Sequence, residues 1–511
     1  MVSAVVLFIV GEVVLSQAGP ILKGRIIETL SARFDSRVEL DNLDVSVGRG
    51  LEVAGQGLRI FPPDAVVAAG ADQPLMRVKQ FRFHSGVIGL FLKPMHVSAV
   101  LVDGLDINIP PRQMRSQAKG PREQHGKIKI VVEEIICENS SLVIGTAKPD
   151  KDPKTFALRH IELHDVGPNA PWQYNATLVN AVPRGDIHST GKFGPWQSDA
   201  PGESSVTGHY TFEQADLNTI KGLGGILSSV GDFDGRLDHI NVHGTTKTAD
   251  FSLDTANHPV PLETKFEAIV DGTSGDTYLE TVDAKLGESR FTVRGAVISI
   301  KGKGHRVELD ADIPAGRIQD FLSLAVKTRP PVLTGVIQTN PKIIIEPGKE
   351  SVAMKLKTHG SFTLRRMRFT NPGLQDKVDM LSLRARGEPE QAKPGAEDVN
   401  SMMQGSFDIG NGKIVFSRLN YMLPGARVNL AGVYSMDGQQ FDFSGKVLTK
   451  ATLRKMVASW WKSWLLTPIS PFFKKDGAGA EIPFRISGTR SDPKFGLDLF
   501  HGNSNKEKQS R

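Results

Sequence analysis

Few side chains in this chain of 511 residues have the types and spacing that chemistry requires. His160 and His164 are four residues apart, as in some metal sites, but their alternating apolar neighbours predict a strand without a third ligand. Asp232, Asp234 and Gly235 match part of a calcium loop, and the residues that follow do not complete the ligand pattern. The sequence therefore predicts solvated histidines and carboxylates, and no metal site.

The motifs of common enzyme classes are also absent. There is no phosphate-binding loop and no nucleophile elbow around a serine. The single cysteine, Cys137, excludes an intramolecular disulfide and a cysteine-based zinc site, and the two isoleucines before it indicate a small buried apolar residue. Alternating strand faces would split the basic residues Arg365, Arg366 and Arg368. We therefore expect a protein that is not an enzyme, with no cofactor and no nucleic-acid partner.

The elements that must position any site are mostly β-strands. Val307, Leu309 and Ile313 alternate with acidic residues, which is typical of a strand with one apolar and one solvated face. Hairpin turns such as Asp271-Gly272, Asn411-Gly412 and Asp437-Gly438 separate similar runs. This pattern predicts antiparallel β structure and leaves a closed sandwich and an open sheet both possible. The candidate residues for one shared apolar face are Val307, Leu309, Ile313, Val352, Met354, Leu356, Val428, Leu430, Phe441 and Phe443.

Helical patterns are few. Residues 20–33 and 316–325 each place apolar side chains on one stripe, and 217–230 is a weaker candidate because glycines interrupt it. The strongest pattern begins at Leu453 and is basic on its opposite face. Its apolar stripe consists of Leu453, Met456, Trp460, Trp461, Trp464 and Leu465. The tryptophans predict an interfacial helix at a lipid surface, and the alternative is a helix that packs onto the end of the sheet.

The N-terminus predicts a membrane anchor. Residues 1–22 contain one charged side chain, Glu12, and as a helix they would extend roughly 33 Å, enough for a hydrocarbon core of about 30 Å. The apolar residues of this anchor are Val2, Val5, Leu7, Phe8, Ile9, Val13 and Leu15. A cleavable signal peptide and a buried first helix are the alternatives, because no basic residue precedes the apolar run. The mean hydropathy of −0.20 argues against many further spans.

Both ends of the chain resemble one protein family. The N-terminal segments SARFDSRVELDNLDVSVGRGLEV (31–53), VKQFRF (78–83) and VIGLFLKPMHVSAVLVDGLDINI (87–109) resemble the N-terminal region of the AsmA family. The segments MQGSFDIGNGKI (403–414), VNLAGVY (428–434) and IPFRISGTRSDPKFGL (482–497) are similar to the C-terminal domain of that family. The middle of the chain matches only in style.

The resemblance implies an anchor at 1–22, an AsmA-like N-terminal region at 23–110, a β-rich middle at 128–386, an AsmA-like C-terminal domain at 401–500 and a polar tail at 501–511. Residues 111–127 and 387–400 have the composition of linkers. The fold implied is mostly β: a long curved antiparallel sheet that forms an apolar groove, with an N-terminal transmembrane helix and a few short capping helices.

The resemblance also implies a place and a function. The protein would be held by a single N-terminal span in the bacterial inner membrane, with its body in the periplasm. It would bind phospholipid in the groove and take part in lipid transport and outer-membrane homeostasis. Its partners would be phospholipid, the inner membrane, and outer-membrane or other envelope proteins. The alternative is an assembly or regulatory factor for outer-membrane proteins that acts through protein contacts.

Overall fold

A computed structural model gives the fold. It describes isolated positions between 20 and 31, residue 67, and the ranges 36–47, 51–62, 73–85, 95–109, 130–144, 154–166, 170–195, 201–254, 258–325, 329–436, 440–456, 479–489 and 492–497. Among these residues, no helix is both long and apolar enough to cross a membrane. The predicted anchor residues Val2 to Leu15 lie outside the described residues, so the anchor stays a prediction.

The described residues form mainly one long curved β-sheet. Its first half contains β1 (Val38–Glu39), β2 (Asn42–Val47), β3 (Leu51–Ile60), β4 (Met76–Ser85), β5 (Met95–Ile109), β6 (Ile130–Ile144), β7 (Lys154–Val166), β8 (Trp172–Ala181), β9 (Arg184–Phe193), β10 (Ser205–Asp216), β12 (Ile226–Arg236) and β13 (His239–Thr248). The short strands β11 (Leu223–Gly224) and β14 (Ser252–Leu253) pair with each other as a separate ribbon.

The second half of the sheet continues in chain order. It contains β15 (Leu262–Val270), β16 (Thr277–Leu286), β17 (Ser289–Ile300), β18 (Gly304–Arg317), β19 (Leu333–Thr339), β20 (Lys342–Ile345), β21 (Leu356–Phe369), β22 (Ser401–Gly410), β23 (Lys413–Leu423), β24 (Ala426–Ser435), β25 (Gln440–Thr449), β26 (Ala480–Thr489) and β27 (Pro493–Leu497).

Almost every strand pairs antiparallel with the next strand of the sheet. The exception among the described pairs is β5 with β6, which run parallel. β1 and β2 both pair with β3, and β19 and β20 share the place between β18 and β21. Two of the predicted turns have the expected places. Asp271-Gly272 follows β15, and Asn411-Gly412 joins β22 to β23. Asn411 and Gly412 both have positive φ, as such a turn requires.

Three α-helices have both ends described: α1 (Ile318–Ala325), α2 (Val352–Lys355) and α3 (Pro372–Arg386). The described positions between 20 and 31, within the helix predicted at 20–33, are helical as well. Short 3₁₀ turns lie at Pro201–Glu203, Leu217–Thr219, Pro389–Gln391 and Leu453–Met456. The sequence of α3 specifies its ends, because the side chain of Asn371 accepts a hydrogen bond from the Leu374 N–H and Gly387 ends the helix with φ of 90°. The helix predicted near 316–325 is confirmed by α1.

Two sequence predictions were wrong. The weak helical pattern at 217–230 is a single 3₁₀ turn followed by β11 and the start of β12, since the glycines favour turns over a continued helix. Val352 and Met354, predicted to alternate along a strand, lie in α2, and Met354 is 51% exposed. Four residues of alternating pattern are too short to distinguish a strand from one turn of helix.

The predicted domain boundaries stay predictions. Residues 111–127 lie outside the described residues. Across 387–400 the sheet continues, because β21 pairs directly with β22. Within this segment Val399 is only 3% exposed, and Glu397 accepts a hydrogen bond from Arg386 at 2.6 Å.

Candidate functional site

One face of the sheet is apolar from strand to strand. Because directly opposed residues on neighbouring strands point to the same face, the register identifies a row across the first half of the sheet. In order, this row contains Leu43, Gly55, Phe81, Val102, Cys137, Ile161, Ala176, Ser189, Tyr210, Gly231, Gly244, Phe266, Val282, Val293 and Ala311. No charged side chain occurs in it. We call this side of the sheet the apolar face.

The apolar face continues through the second half. A row starting two residues before Ala311 contains Leu309, Ile343, Thr358, Ile409, Ile414, Tyr434, Phe441 and Gly488. Of the candidate residues, the structure places Val307, Leu309, Ile313, Leu356, Val428, Leu430, Phe441 and Phe443 on this face. Val352 and Met354 are not part of it.

The large side chains of the apolar face are only partly covered. Phe81, Tyr210, Phe266 and Val282 are half-buried, whereas small members of the same row such as Cys137 are buried. In a closed sandwich, a second sheet would bury the large side chains as well. Within the described residues, the only other sheet is the two-stranded ribbon. In the part of the chain that the structure describes, the apolar face is therefore not the core of a two-sheet sandwich.

Aromatic rings cover glycines along this face. A Cβ on Gly55 would collide with the ring of Phe81, one on Gly208 with the Tyr174 hydroxyl, and one on Gly231 with the ring of Tyr210. Glycine is therefore required at these positions for the rings to lie across the neighbouring strand. Burial raises the pKa of Tyr174 and of Tyr210, and hydrogen bonds from their hydroxyls to serines offset part of that rise.

The opposite face is polar and carries cross-strand ion pairs. Arg59 binds Glu39 at 3.0 Å and Asp41 at 2.6 Å. Arg485 donates two hydrogen bonds to the carboxylate of Asp442 and thereby lowers the pKa of that group. Exposed ion pairs of this kind contribute little to stability, so they favour the register more than they stabilise the fold. We call this side the polar face.

The predicted histidines lie on the polar face. His160 hydrogen-bonds Glu162 at 3.0 Å and Glu138 at 2.6 Å, and these two contacts raise its pKa. His164 is 3.9 Å from Glu134. In the described part of the chain, no group of three or more histidine, cysteine or acidic side chains could hold a metal ion. Each histidine is explained by a carboxylate on an adjacent strand.

Cys137 is buried on the apolar face, as its apolar neighbours predicted. Its side chain is 2% exposed. Burial is the main cause that raises the pKa of its thiol to about 11, and the charge of Glu138 adds to the rise. A thiol with this pKa is almost wholly protonated near neutral pH, so Cys137 is a poor nucleophile.

Two helices pack on the apolar face along one long edge of the sheet. The ring of Phe321 in α1 lies 5.9 Å from that of Phe291, and Asp320 accepts a hydrogen bond from Ser289 at 2.7 Å. Further along, α3 closes a second cluster that contains Val378 of the helix and Leu364 of the sheet. The helices therefore cover one margin of the face and leave its middle to the half-buried rings.

Beneath α3, buried polar groups fix the helix to the chain around it. Asp379 is 3% exposed and accepts hydrogen bonds from Gln375 at 2.8 Å and from the Val399 N–H at 3.1 Å. Gln375 in turn accepts one from the Phe369 N–H at 2.9 Å. A buried carboxylate with these partners is costly to lose, because each donor would remain unsatisfied.

The two long edges of the sheet meet at one point. The connection between β10 and β12 lies at the same edge as Arg317, whereas the connection between β20 and β21 lies at the other edge, near Val307. Val307 and Arg317 are ten residues apart on β18, which corresponds to about 33 Å in a flat strand. Nevertheless Lys221 donates a hydrogen bond to the carbonyl of Lys349. Only a strongly curled sheet brings these two edges into contact.

Sequence analysis missed several parts of this site. Tyr174, Tyr210 and Phe266 were not selected, and the glycines that lie opposite them give the signal that could have found them, since isolated glycines inside strands mark close approaches. Of the predicted interfacial helix, Leu453 and Met456 lie in a 3₁₀ turn. Trp460, Trp461, Trp464 and Leu465 lie outside the described residues, so that helix stays a prediction.

No protein-family model, curated protein or solved structure matches this chain.

Proposed function

We propose that this protein binds phospholipid acyl chains along the apolar face, as a groove, and helps to move them between membranes. The observation that carries the proposal is the row of apolar and glycine residues that crosses the sheet while its large members stay half-buried. An apolar surface this long that stays only half-buried marks a site for an apolar ligand or partner.

The physical chemistry of lipid movement favours such a surface. Each acyl methylene that enters water costs about 0.8 kcal/mol, so a chain leaving a bilayer needs continuous apolar contact. Neighbouring apolar residues such as Phe266 and Val282 supply that contact on one face. The ion-paired polar face stays in water.

The dimensions of the sheet suit this role. From β2 to β27 the sheet advances by 22 strand spacings, when the strands that share a place are counted once. At about 4.8 Å each, the contour is roughly 105 Å, compared with about 40–45 Å for a whole bilayer. Several acyl chains could therefore lie along one molecule.

The cellular setting belongs to the same proposal. An N-terminal span would hold the protein in the bacterial inner membrane, and its body would work in the periplasm beside outer-membrane or other envelope proteins. The support is the apolar sequence at 1–22 and the resemblance of both chain ends to the AsmA family.

Photo-crosslinking from single positions tests the proposal. A benzophenone amino acid replaces Phe266 on the apolar face or, as the matched control, Glu267 on the polar face of the same strand. After irradiation in bacterial cells, we expect lipid adducts at position 266 and none at 267. Protein adducts alone at position 266 would favour the assembly-factor alternative. Equal lipid labelling at both positions would contradict a one-sided groove.

A further inference from the structure

Two tyrosine–serine pairs interrupt the apolar face in its first half. The Tyr174 hydroxyl lies 3.0 Å from Ser189 Oγ, and the Tyr210 hydroxyl lies 3.0 Å from Ser229 Oγ. The pairs adjoin, because Ser189 and Tyr210 are directly opposed on β9 and β10. From β8 to β12 they cross three strand spacings, about 14 Å. We call these four residues the hydroxyl stripe.

The proton arrangement of the stripe follows from its serines. Ser189 Oγ donates its one proton to the carbonyl of His209 at 3.1 Å, and Ser229 Oγ donates to the carbonyl of Thr245 at 3.0 Å. A serine hydroxyl has one proton, so each serine can only accept from its tyrosine. Tyr174 and Tyr210 must therefore be the donors of the hydrogen bonds within the pairs.

Each phenol oxygen is left with acceptor capacity alone. Its proton points to serine, and within the described part of the chain neither oxygen has a further hydrogen-bond partner. The glycines maintain this arrangement, because a side chain on Gly208 would displace the Tyr174 hydroxyl and one on Gly244 would crowd that of Tyr210. The stripe can therefore accept hydrogen bonds from a ligand and cannot donate them through its tyrosines.

We infer that the hydroxyl stripe selects acyl chains that carry a hydroxyl group, by accepting the hydroxyl proton at Tyr174 and Tyr210. This inference rests on the proposed function, since it assigns a specificity to the same groove. On an otherwise apolar face, a chain hydroxyl would lose its hydrogen bonds to water without replacement. Beside the stripe the chain hydroxyl regains one hydrogen bond by donating to a tyrosine oxygen. An ether oxygen at the same carbon has no proton to donate, so it regains no hydrogen bond.

Three fatty acids that differ at one carbon test the inference. Tetradecanoic, 3-hydroxytetradecanoic and 3-methoxytetradecanoic acid compete with a dansyl-labelled undecanoic acid for the full chain, below the concentrations at which they form micelles. One net hydrogen bond corresponds to roughly 5-fold in affinity. We expect the hydroxy acid to bind roughly 5-fold more tightly than the methoxy acid.

The variant Y174F/Y210F removes both phenol oxygens and keeps the rings over the glycines. We expect it to lose the preference for the hydroxy acid over the methoxy acid, because no phenol oxygen remains to accept the hydroxyl proton. Y278F is the matched control, because Tyr278 lies on the polar face and is 45% exposed, and it should keep the preference. Circular dichroism checks that each variant is folded.

Each other outcome overturns the inference. Equal binding of the three acids by the native chain would show that the stripe does not select, while the proposed groove would still stand. A preference that survives in Y174F/Y210F would assign the selection to other residues. Binding of none of the acids would overturn the groove and the stripe together.

Discussion

Replacing Leu309 with aspartate places a charge in the middle of the apolar face. Leu309 is half-buried and lies between Gly295 and Ile343 on the adjoining strands. Full burial of a leucine side chain is worth about 1.5–3 kcal/mol. Because Leu309 is already half-buried, an acyl chain that covers the rest of it gains about 1 kcal/mol of binding free energy. An unpaired carboxylate against that chain adds a penalty of at least about 2 kcal/mol. The sum, about 3 kcal/mol, corresponds to a loss of affinity on the order of 100-fold.

Fluorescence titration with a dansyl-labelled fatty acid measures this loss. The matched control is Gln338→Asp, which adds the same charge on the polar face, where Gln338 already accepts a hydrogen bond from Arg365. We expect its affinity to match the native chain, and Leu309→Ala to lose roughly 5-fold. A folded Leu309→Asp chain that binds within 3-fold of the native affinity would refute the groove.

Three further predictions concern the fold. Glu162 and a second glutamate raise the pKa of His160, so protonated His160 stabilises the fold fully below about pH 6.5, and this stabilisation is lost as pH rises through the folded pKa. NMR titration should place that pKa above 6.5, and Glu162→Gln should lower it. Cys137 should react with iodoacetamide at pH 8 far more slowly in the native chain than in urea, because burial raises its pKa; equal rates would show that the face is open at that point. Asp379→Ala should destabilise the fold by about 2–4 kcal/mol in urea unfolding, because it loses two buried hydrogen bonds. Asp376→Ala, which loses a single exposed hydrogen bond, should cost about 1 kcal/mol, and equal costs would contradict the role of the buried carboxylate.

The strands could be predicted because the alternation of apolar and polar side chains is visible within a few neighbouring residues of the sequence. Val307, Leu309 and Ile313 share a face through their spacing alone, and the structure places all three on the apolar face. The prediction failed at Val352 and Met354, where one turn of helix has the same short pattern as a strand. Alternation needs more than three positions before it distinguishes these two structures.

The features that make this face a site are not local. The contact between Lys221 and Lys349 joins residues 128 positions apart, and it depends on the curl accumulated over many strands. The pairing of Tyr174 with Ser189 depends on the register between β8 and β9. The sequence of one strand does not specify which residues of its neighbour it faces. An apolar face could therefore be predicted from the strand period, and a curved sheet is expected only through the family resemblance, whereas the hydroxyl stripe could not be predicted.

Native mass spectrometry of the full chain, purified from bacteria and freed of detergent, shows whether the apolar face holds lipid. We expect several phospholipids bound to each chain, and fewer on the Leu309→Asp variant. A folded native chain that carries no lipid would contradict the proposed groove, and co-purifying envelope proteins in place of lipid would point to the assembly-factor alternative.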